Sequence, residues 1–311
     1  MSSFFKAIVC FFSVLSVTSQ SGNSSQNNCW NNMQFMFTPA DAKSIDAALI
    51  QNPFSENPDI WNALPGDFVK TPTGFGFMMA RPDLKTRLFA QWAFNSSTKG
   101  AIADIGSSFG VATLKILEET STKQKVIAVD LDAHSLMELR ARAKKLDPKF
   151  LQRLILHQGK LAGDLEFEKG QLKGIFSSRV LHFLSPEEVR LAFSKMYEWL
   201  APGGRLMITV ETPFNGNLQS NGFGKIFSQR VSEGNEWPGL IEDVARYYPS
   251  RKGALPALMN FLTPEILERE AKTVGFKTVH SEYIDRAGDF PRDVLFDGRE
   301  SAVYFGEKPK N

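Results

Sequence analysis

Residues 101 to 114 read Ala101-Ile102-Ala103-Asp104-Ile105-Gly106-Ser107-Ser108-Phe109-Gly110-Val111-Ala112-Thr113-Leu114. A short apolar run ends on Asp104, small residues follow, and an amphipathic segment begins at Val111. That pattern predicts a buried strand turning tightly into a helix. Such a turn aims backbone N–H groups and the positive end of the helix dipole at a ligand. Gly106 and Gly110 allow positive φ and a close ligand approach where a Cβ would intrude. The stretch therefore predicts a cleft of the nucleotide-binding kind.

Three motifs compete for it. A dinucleotide fingerprint, G-x-G-x-x-G counted from Gly106, meets Ser108 and Val111 at its second and third glycine places, so it fits badly. Gly106-Ser107-Ser108-Phe109-Gly110 spells G-x-S-x-G, the nucleophile elbow of α/β-hydrolases, and His280 lies late in the chain as a triad would need. That reading also needs several strands and an oxyanion loop before the elbow. Residues 34 to 99 instead hold Pro-, Asn- and Phe-rich irregular sequence and helical segments, without a His-Gly-Gly stretch. The third motif is D-x-G-x-G-x-G, which Asp104, Gly106 and Gly110 match with Ser108 in the middle glycine place.

Residues downstream favour the third. Val126-Ile127-Ala128-Val129-Asp130 is a second buried strand ending in an acid, placed to accept ribose hydroxyls. Gly174 to Phe183 gives a further strand and its loop, and Leu200-Ala201-Pro202-Gly203-Gly204-Arg205-Leu206-Met207-Ile208 a helix end, a turn and another strand. In this order the four segments resemble class I S-adenosylmethionine (SAM) methyltransferases over residues 100 to 210. The resemblance implies an α/β fold: a Rossmann-like, seven-stranded, mostly parallel sheet with an antiparallel C-terminal hairpin and helices on both faces. It implies SAM as cofactor, with Asp104, Gly106, Ser108 and Gly110 on the methionine side, Asp130 at the ribose and Leu131 beside the adenine.

Two departures stand out. Gly159-Lys160 replaces the family's usual Gly-Asp adenine contact, which leaves that task to backbone or Gln158. Lys173-Gly174 stands where an acid is usual. Arg179 and His182 are expected to line the transfer site. Val180-Leu181-His182-Phe183-Leu184-Ser185 resembles the Leu-His-Asp-Trp-Ser segment of small-molecule O-methyltransferases, whose histidine is the general base; the alternative is a structural residue in the cleft wall. The acceptor implied is a small, apolar or aromatic molecule methylated on oxygen or nitrogen. A catalytically silent SAM-binding module and the serine hydrolase stay open as alternatives.

The N-terminus carries a second signal. Lys6, an apolar stretch to Val17 and small residues near Ser19 describe a secretory signal peptide over residues 1–19, too short to span a bilayer. Its removal would leave Cys29 as the only cysteine, so no internal disulfide is expected. Residues 20–36 read as a disordered spacer. Export is expected, with translation from Met33 or Met36 in the cytoplasm as the alternative.

A helical extension is expected over 37–99, with helices from Thr38-Pro39 and over Asp83–Ala93, and an apolar loop from Thr71 to Met79 whose Phe75 and Phe77 would close on the substrate. The catalytic domain would then run from 100 to 311. Within it, 214–262 is too long for an ordinary connection and reads as a packed helical insertion, as a lid over the acceptor carrying Trp237 and Tyr247, or as both, with a helix near Gly239–Tyr248. A net charge of +2 gives no footprint for nucleic acid, and the basic run Arg140–Lys145 reads as a solvated helix face. Neither the Asn/Asp-Pro-Pro-aromatic motif of amino-group methylation nor a cysteine placed for C5 chemistry is present. Oligomeric state is not legible.

Overall fold

Strands β1 (Phe68–Lys70) and β2 (Phe77–Met79) pair antiparallel ahead of helix α1 (Leu84–Asn95). The structure is a computed structural model and describes residues 68–70, 77–79 and 81–310. The proposed signal peptide, the spacer and the helix expected from Thr38 lie outside the described residues. Helix α1 starts where expected because Asp83 accepts the Thr86 N–H at 2.8 Å, a cap contributing about 1 kcal/mol. At its other end Lys173 donates to the carbonyls of Ala93 (2.8 Å) and Ser96 (3.2 Å). A buried cation at a helix C-terminus satisfies orphan carbonyls and the dipole together. That is what the lysine does in place of the usual acid.

The chain continues through β3 (Ala101–Ile105), α2 (Val111–Glu119), β4 (Val126–Asp130), α3 (Ala133–Leu146), β5 (Leu154–Gln158) and β6 (Leu172–Ser178). Helix α4 (Pro186–Trp199) opens on a full capping box between Ser185 and Glu188 and leads into β7 (Leu200–Glu211). The expected turn at Pro202-Gly203-Gly204 survives as an irregularity inside β7, whose pairing with β6 jumps from Leu172↔Leu200 to Gly174↔Arg205. After the insertion come α7 (Pro264–Val274), β10 (Lys277–Ile284) and β11 (Ser301–Glu307).

Seven of these strands form one sheet in the order β10-β11-β7-β6-β3-β4-β5. Only β11 runs against its neighbours, as the resemblance implies. Strand β3 has β4 on one side and β6 on the other, so the chain reverses its direction of travel there. In open α/β sheets this switch point is where crossover loops part and a crevice opens beyond the carboxyl ends. Under it the core joins Phe89, Ile102, Ile116, Leu117, Ala128, Leu139, Phe176 and Met207. Each buried side chain of this size contributes roughly 1.5–3 kcal/mol.

The insertion differs from its expected form. Helices α5 (Gly216–Ser220) and α6 (Phe223–Ser232) come first, and the segment near 239–248 is a short strand β8 (Leu240–Ile241) and a 3-10 turn at Val244–Arg246. Strand β8 pairs with β9 (Met259–Asn260). Gly239 explains the difference: its N-terminal neighbour is Pro238, and a Cβ there would lie 1.9 Å from the Phe261 carbonyl oxygen, so this backbone packs flat against the return strand. The insertion closes a core of its own from Leu218, Phe223, Phe227, Ile241, Tyr247, Tyr248 and Phe261. Among the described residues no helix is long and apolar enough to cross a membrane.

Candidate active site

A cavity of about 440 Å³ opens at the carboxyl ends of β3, β4 and β6. Its floor is the glycine loop. Gly106 and Ser107 both donate to the Val129 carbonyl, at 2.8 and 2.9 Å, which ties the loop to β4. Gly106 (φ 79°) and Gly110 (φ 80°) are left-handed, and so is Ser108 at φ 45°. A Cβ at Gly106 would lie 2.2 Å from Val180 Cγ2, and one at Gly110 1.9 Å from Leu139 Cδ1. Both glycines are thus demanded by conformation and by space. Arg142, one of the basic run expected on a solvated face, turns inward and donates to the Phe109 carbonyl at 2.6 Å. It holds the loop from behind.

Helix α2 begins at Gly110 without a side-chain cap, and its first-turn residues Val111 and Ala112 line the cavity. Asp130 accepts the N–H of Ser108 (2.8 Å) through one oxygen and that of Asp132 (3.0 Å) through the other. A carboxylate offers about four acceptor sites, so capacity remains for two hydroxyls. Leu131 beside it is 62% exposed, an apolar surface left for a flat ring. Asp104 is buried in the wall and accepts the Thr113 hydroxyl at 2.5 Å. Burial pushes its pKa up from 3.8 to about 7, with the neighbouring charge of Asp130 acting in the same direction. Burial raises Asp130 too, against the hydrogen bonds from Asp132 and Ser108.

Part of the lining is apolar, including Met78, Met79, Val180, Phe183, Leu184 and Pro256. Met78 belongs to the N-terminal hairpin, and the Ser108 hydroxyl meets its sulfur at 3.3 Å. Arg179 also lines the cavity, left-handed at φ 64°. Its guanidinium pairs with Glu211 and lies 5.0 Å over the Phe290 ring.

Residues 102–204 match a family model described as a methyltransferase domain. Over these residues the chain carries a methyltransferase domain, and its fold is that of class I SAM-dependent methyltransferases. A SAM-dependent methyltransferase structure from Methanosarcina mazei shares 14% identity, with 74% of this chain and 100% of that one covered and a TM-score of 0.53. One from Mesorhizobium loti shares 17% identity over 68% of this chain and 93% of that one, TM-score 0.47. A glycopeptide N-methyltransferase complexed with SAM shares 14% identity over 72% and 86%, TM-score 0.47. No curated protein matches the sequence.

SAM is the cofactor that a methyltransferase domain implies, and the residues present fit it. The two glycine positions leave no room for a Cβ, the α2 N-terminus is uncapped, and Asp130 keeps acceptor capacity beside the exposed Leu131. Asp104, Gly106, Ser108, Asp130, Leu131 and Arg179 all line the cavity. Gly110 shapes it from the helix start.

Other expected site residues lie elsewhere. Gln158 does not line the cavity; its side chain is exposed and donates to the Leu131 carbonyl at 2.9 Å, holding that residue in place. In its place Gly159, Lys160 and Leu161, which follow it in the chain, line the cavity. His182 is buried behind the cleft, 1% exposed, and its Nδ1 accepts the Glu211 N–H at 3.2 Å. That bond leaves the proton on Nε2, so the ring presents a donor where a base needs a lone pair. Burial lowers its pKa to about 4.

Trp237 and Tyr247 also miss the cavity. Trp237 is buried between Arg190 and Arg269, and Tyr247 packs on Phe223 in the insertion core. Phe75 lies outside the described residues, and of Phe77 only the backbone in β2 is described. The serine hydrolase fails on distance. His280 is on the edge strand β10, four strand spacings or roughly 19 Å from β3, and faces Glu282 at 3.0 Å. Sequence reasoning missed Met78, Val180, Leu184 and Pro256, which only the fold brings to one wall.

Proposed function

We propose that the protein is an active SAM-dependent methyltransferase whose acceptor is a small, apolar or aromatic molecule methylated on oxygen or nitrogen. The carrying observation is a cavity of about 440 Å³ lined both by the glycine loop and Asp130 and by apolar side chains. The loop and acid suit the cofactor, and the apolar side chains form a wall of the kind that encloses small ligands. Bound SAM supplies an activated methyl group.

The chain's own residues position and exclude water. The glycine loop and Asp130 fix the cofactor end, while Met78, Phe183, Leu184 and Pro256 exclude water from the acceptor end. Holding two reactants close and aligned accounts for several kcal/mol of barrier, on the order of 7–11 at its best. Every carboxylate among the described lining residues is engaged. Asp83 pairs with Arg286 and caps α1, Asp104 accepts from Thr113, Asp130 from two amides, and Glu188 pairs with Lys160. With His182 withdrawn, the reading assigns no protein base, and the acceptor presents its own lone pair.

Calorimetry with SAM followed by turnover of labelled SAM with phenols, amines and carboxylic acids tests this. Asp130→Ala is expected to abolish SAM binding, because it removes the ribose acceptor and the anchor of Ser108 at once. Wild-type affinity in that variant would overturn the cofactor assignment. The same reading takes residues 1–19 as an export signal. N-terminal sequencing of the native protein is expected to begin after this segment; a start at Met33 or Met36 would overturn it.

A further inference from the structure

Behind Arg179 a second, smaller pocket of about 20 Å³ is lined by Arg179, His182, Phe183, Glu211, Asn215, Tyr248, Arg251, Leu255, Met259 and Val294. It adjoins the main cavity. Arg179 and Phe183 line both, and the consecutive residues Leu255 and Pro256 line one each. Most of its far wall comes from the insertion, which otherwise packs on its own core.

Two polar groups in that wall lack partners. Asn215 is fully buried and its Nδ2 has no hydrogen-bond partner; Tyr248 is 3% exposed and its hydroxyl has none either. Neither is free to turn away. The Asn215 Oδ1 accepts the Asn217 N–H at 3.0 Å as the cap of α5, which fixes the amide with its NH2 group on the other side. The Tyr248 ring stacks on Phe261, 6.3 Å between centroids and 6° between planes. A buried donor left unmade costs about 1–3 kcal/mol, and two in one pocket mark a place built for an oxygen.

The two donors, the charged surroundings and the available room together narrow which oxygen. Arg179, Arg251 and Glu211 are the ionised groups of the lining, two positive against one negative. Arg179 pairs with Glu211, Arg251 meets Asp293 at 2.9 Å, and the adjacent Arg286 is engaged by Asp83. His182 and Tyr248 stay neutral near pH 7. A volume of about 20 Å³ is the room one water needs, enough for one carboxylate oxygen and too little for a tetrahedral phosphate.

Building on the methyltransferase reading, we propose that this pocket is the polar end of the acceptor site, taking one oxygen of a carboxylate borne by an otherwise apolar acceptor. The Asn215 amide and the Tyr248 hydroxyl donate to that oxygen. The apolar body lies forward, past Phe183, against Met78, Leu184 and Pro256. The insertion then serves to read the acceptor's head group.

The probes are 3-phenylpropanoate and 3-phenyl-1-propanol, which share an apolar body and differ in the head group. Each is titrated calorimetrically into the full chain saturated with S-adenosylhomocysteine, after SAM alone has been titrated. The acid is expected to bind at least about tenfold more tightly than the alcohol, the scale of one hydrogen bond to a charged group. Tyr248→Phe removes that preference and leaves the alcohol within about twofold. Asn215→Asp keeps the α5 cap, puts a carboxylate where the amide donated, and weakens the acid further. Both variants bind SAM as the wild type does.

Equal affinity of the wild type for acid and alcohol, no binding of the acid, or a preference that survives both variants would overturn the proposal and leave a pocket for buried water. Absence of SAM binding would appear in the first titration and would overturn the methyltransferase reading together with this one.

Discussion

Asp104 is expected to make the free protein less stable as pH rises, and Asp104→Asn should relieve it. The carboxyl is buried in the cleft wall and holds its proton up to about pH 7, against 3.8 in the unfolded chain. The folded pKa is the higher one, so this group's contribution is intact below about pH 4, declines as pH rises, and is flat above about 7. A gap of about three pH units at 1.36 kcal/mol each amounts to about 4 kcal/mol at pH 8. Asparagine has the same shape, stays neutral and still accepts the Thr113 hydroxyl. Urea unfolding without SAM is therefore expected to show the variant more stable by about 4 kcal/mol at pH 8, with an advantage about 3 kcal/mol smaller at pH 5. The cost falls on binding. A cationic methionine group beside the cleft wall favours the ionised acid, so the variant should bind SAM at least about tenfold more weakly at pH 8. A stability difference that stays constant from pH 5 to 9 would refute the reasoning, because Asp104 would then not titrate in that window.

Gly110→Ala forces a left-handed alanine into Leu139 and is expected to cost about 2–4 kcal/mol in unfolding experiments and to weaken SAM binding. His182→Asn keeps an acceptor for the Glu211 N–H. Its turnover should stay within about threefold of wild type with an unchanged pH–rate profile; a loss of a hundredfold, the scale of general-base catalysis, would restore the histidine as base. Arg286→Ala leaves the buried Asp83 without its cation and also removes the bond to Ser301. A loss of about 3–5 kcal/mol is expected from thermal or urea unfolding.

The cofactor half of the site was legible in the sequence because it is local. Ala101 to Leu114 combines a buried strand, two left-handed glycines and a helix start within fourteen consecutive residues, and Asp130 ends the next buried strand. Strand periodicity and turn chemistry are short-range signals, and the seven-stranded sheet follows from them with the family's order. The acceptor half is not local. Met78, Pro256 and the pair Val180 and Leu184 come from three separate segments and carry no pattern beyond being apolar. His182 misleads for a related reason: a histidine after a strand reads alike whether it faces the cleft or the Glu211 backbone, and only the Nδ1 bond separates the two. Trp237 and Tyr247 were placed by type in a long loop, yet the loop has enough apolar residues to close its own core and withdraws them. Gln158 was one step off, supporting Leu131 rather than touching the cleft.

The division between the two halves has a physical basis. The sheet fixes the glycine loop and Asp130 through main-chain bonds, so the cofactor end changes little unless the strands move. The acceptor wall is made of additions to that frame, each anchored by one strong polar link. Arg286 joins the β10–β11 connection to Asp83 at the start of α1, next to the hairpin. Arg179 joins the loop after β6 to Glu211 at the end of β7. The Asn215 cap fixes the entry into the insertion. Loops held at their roots by such links can exchange the side chains between the roots without disturbing the frame. On the proposed reading, acceptor choice resides in the hairpin and the 214–262 insertion, and the capacity to bind SAM in the β3–α2 turn. The Ser108–Met78 contact is a direct meeting of the glycine loop and the hairpin.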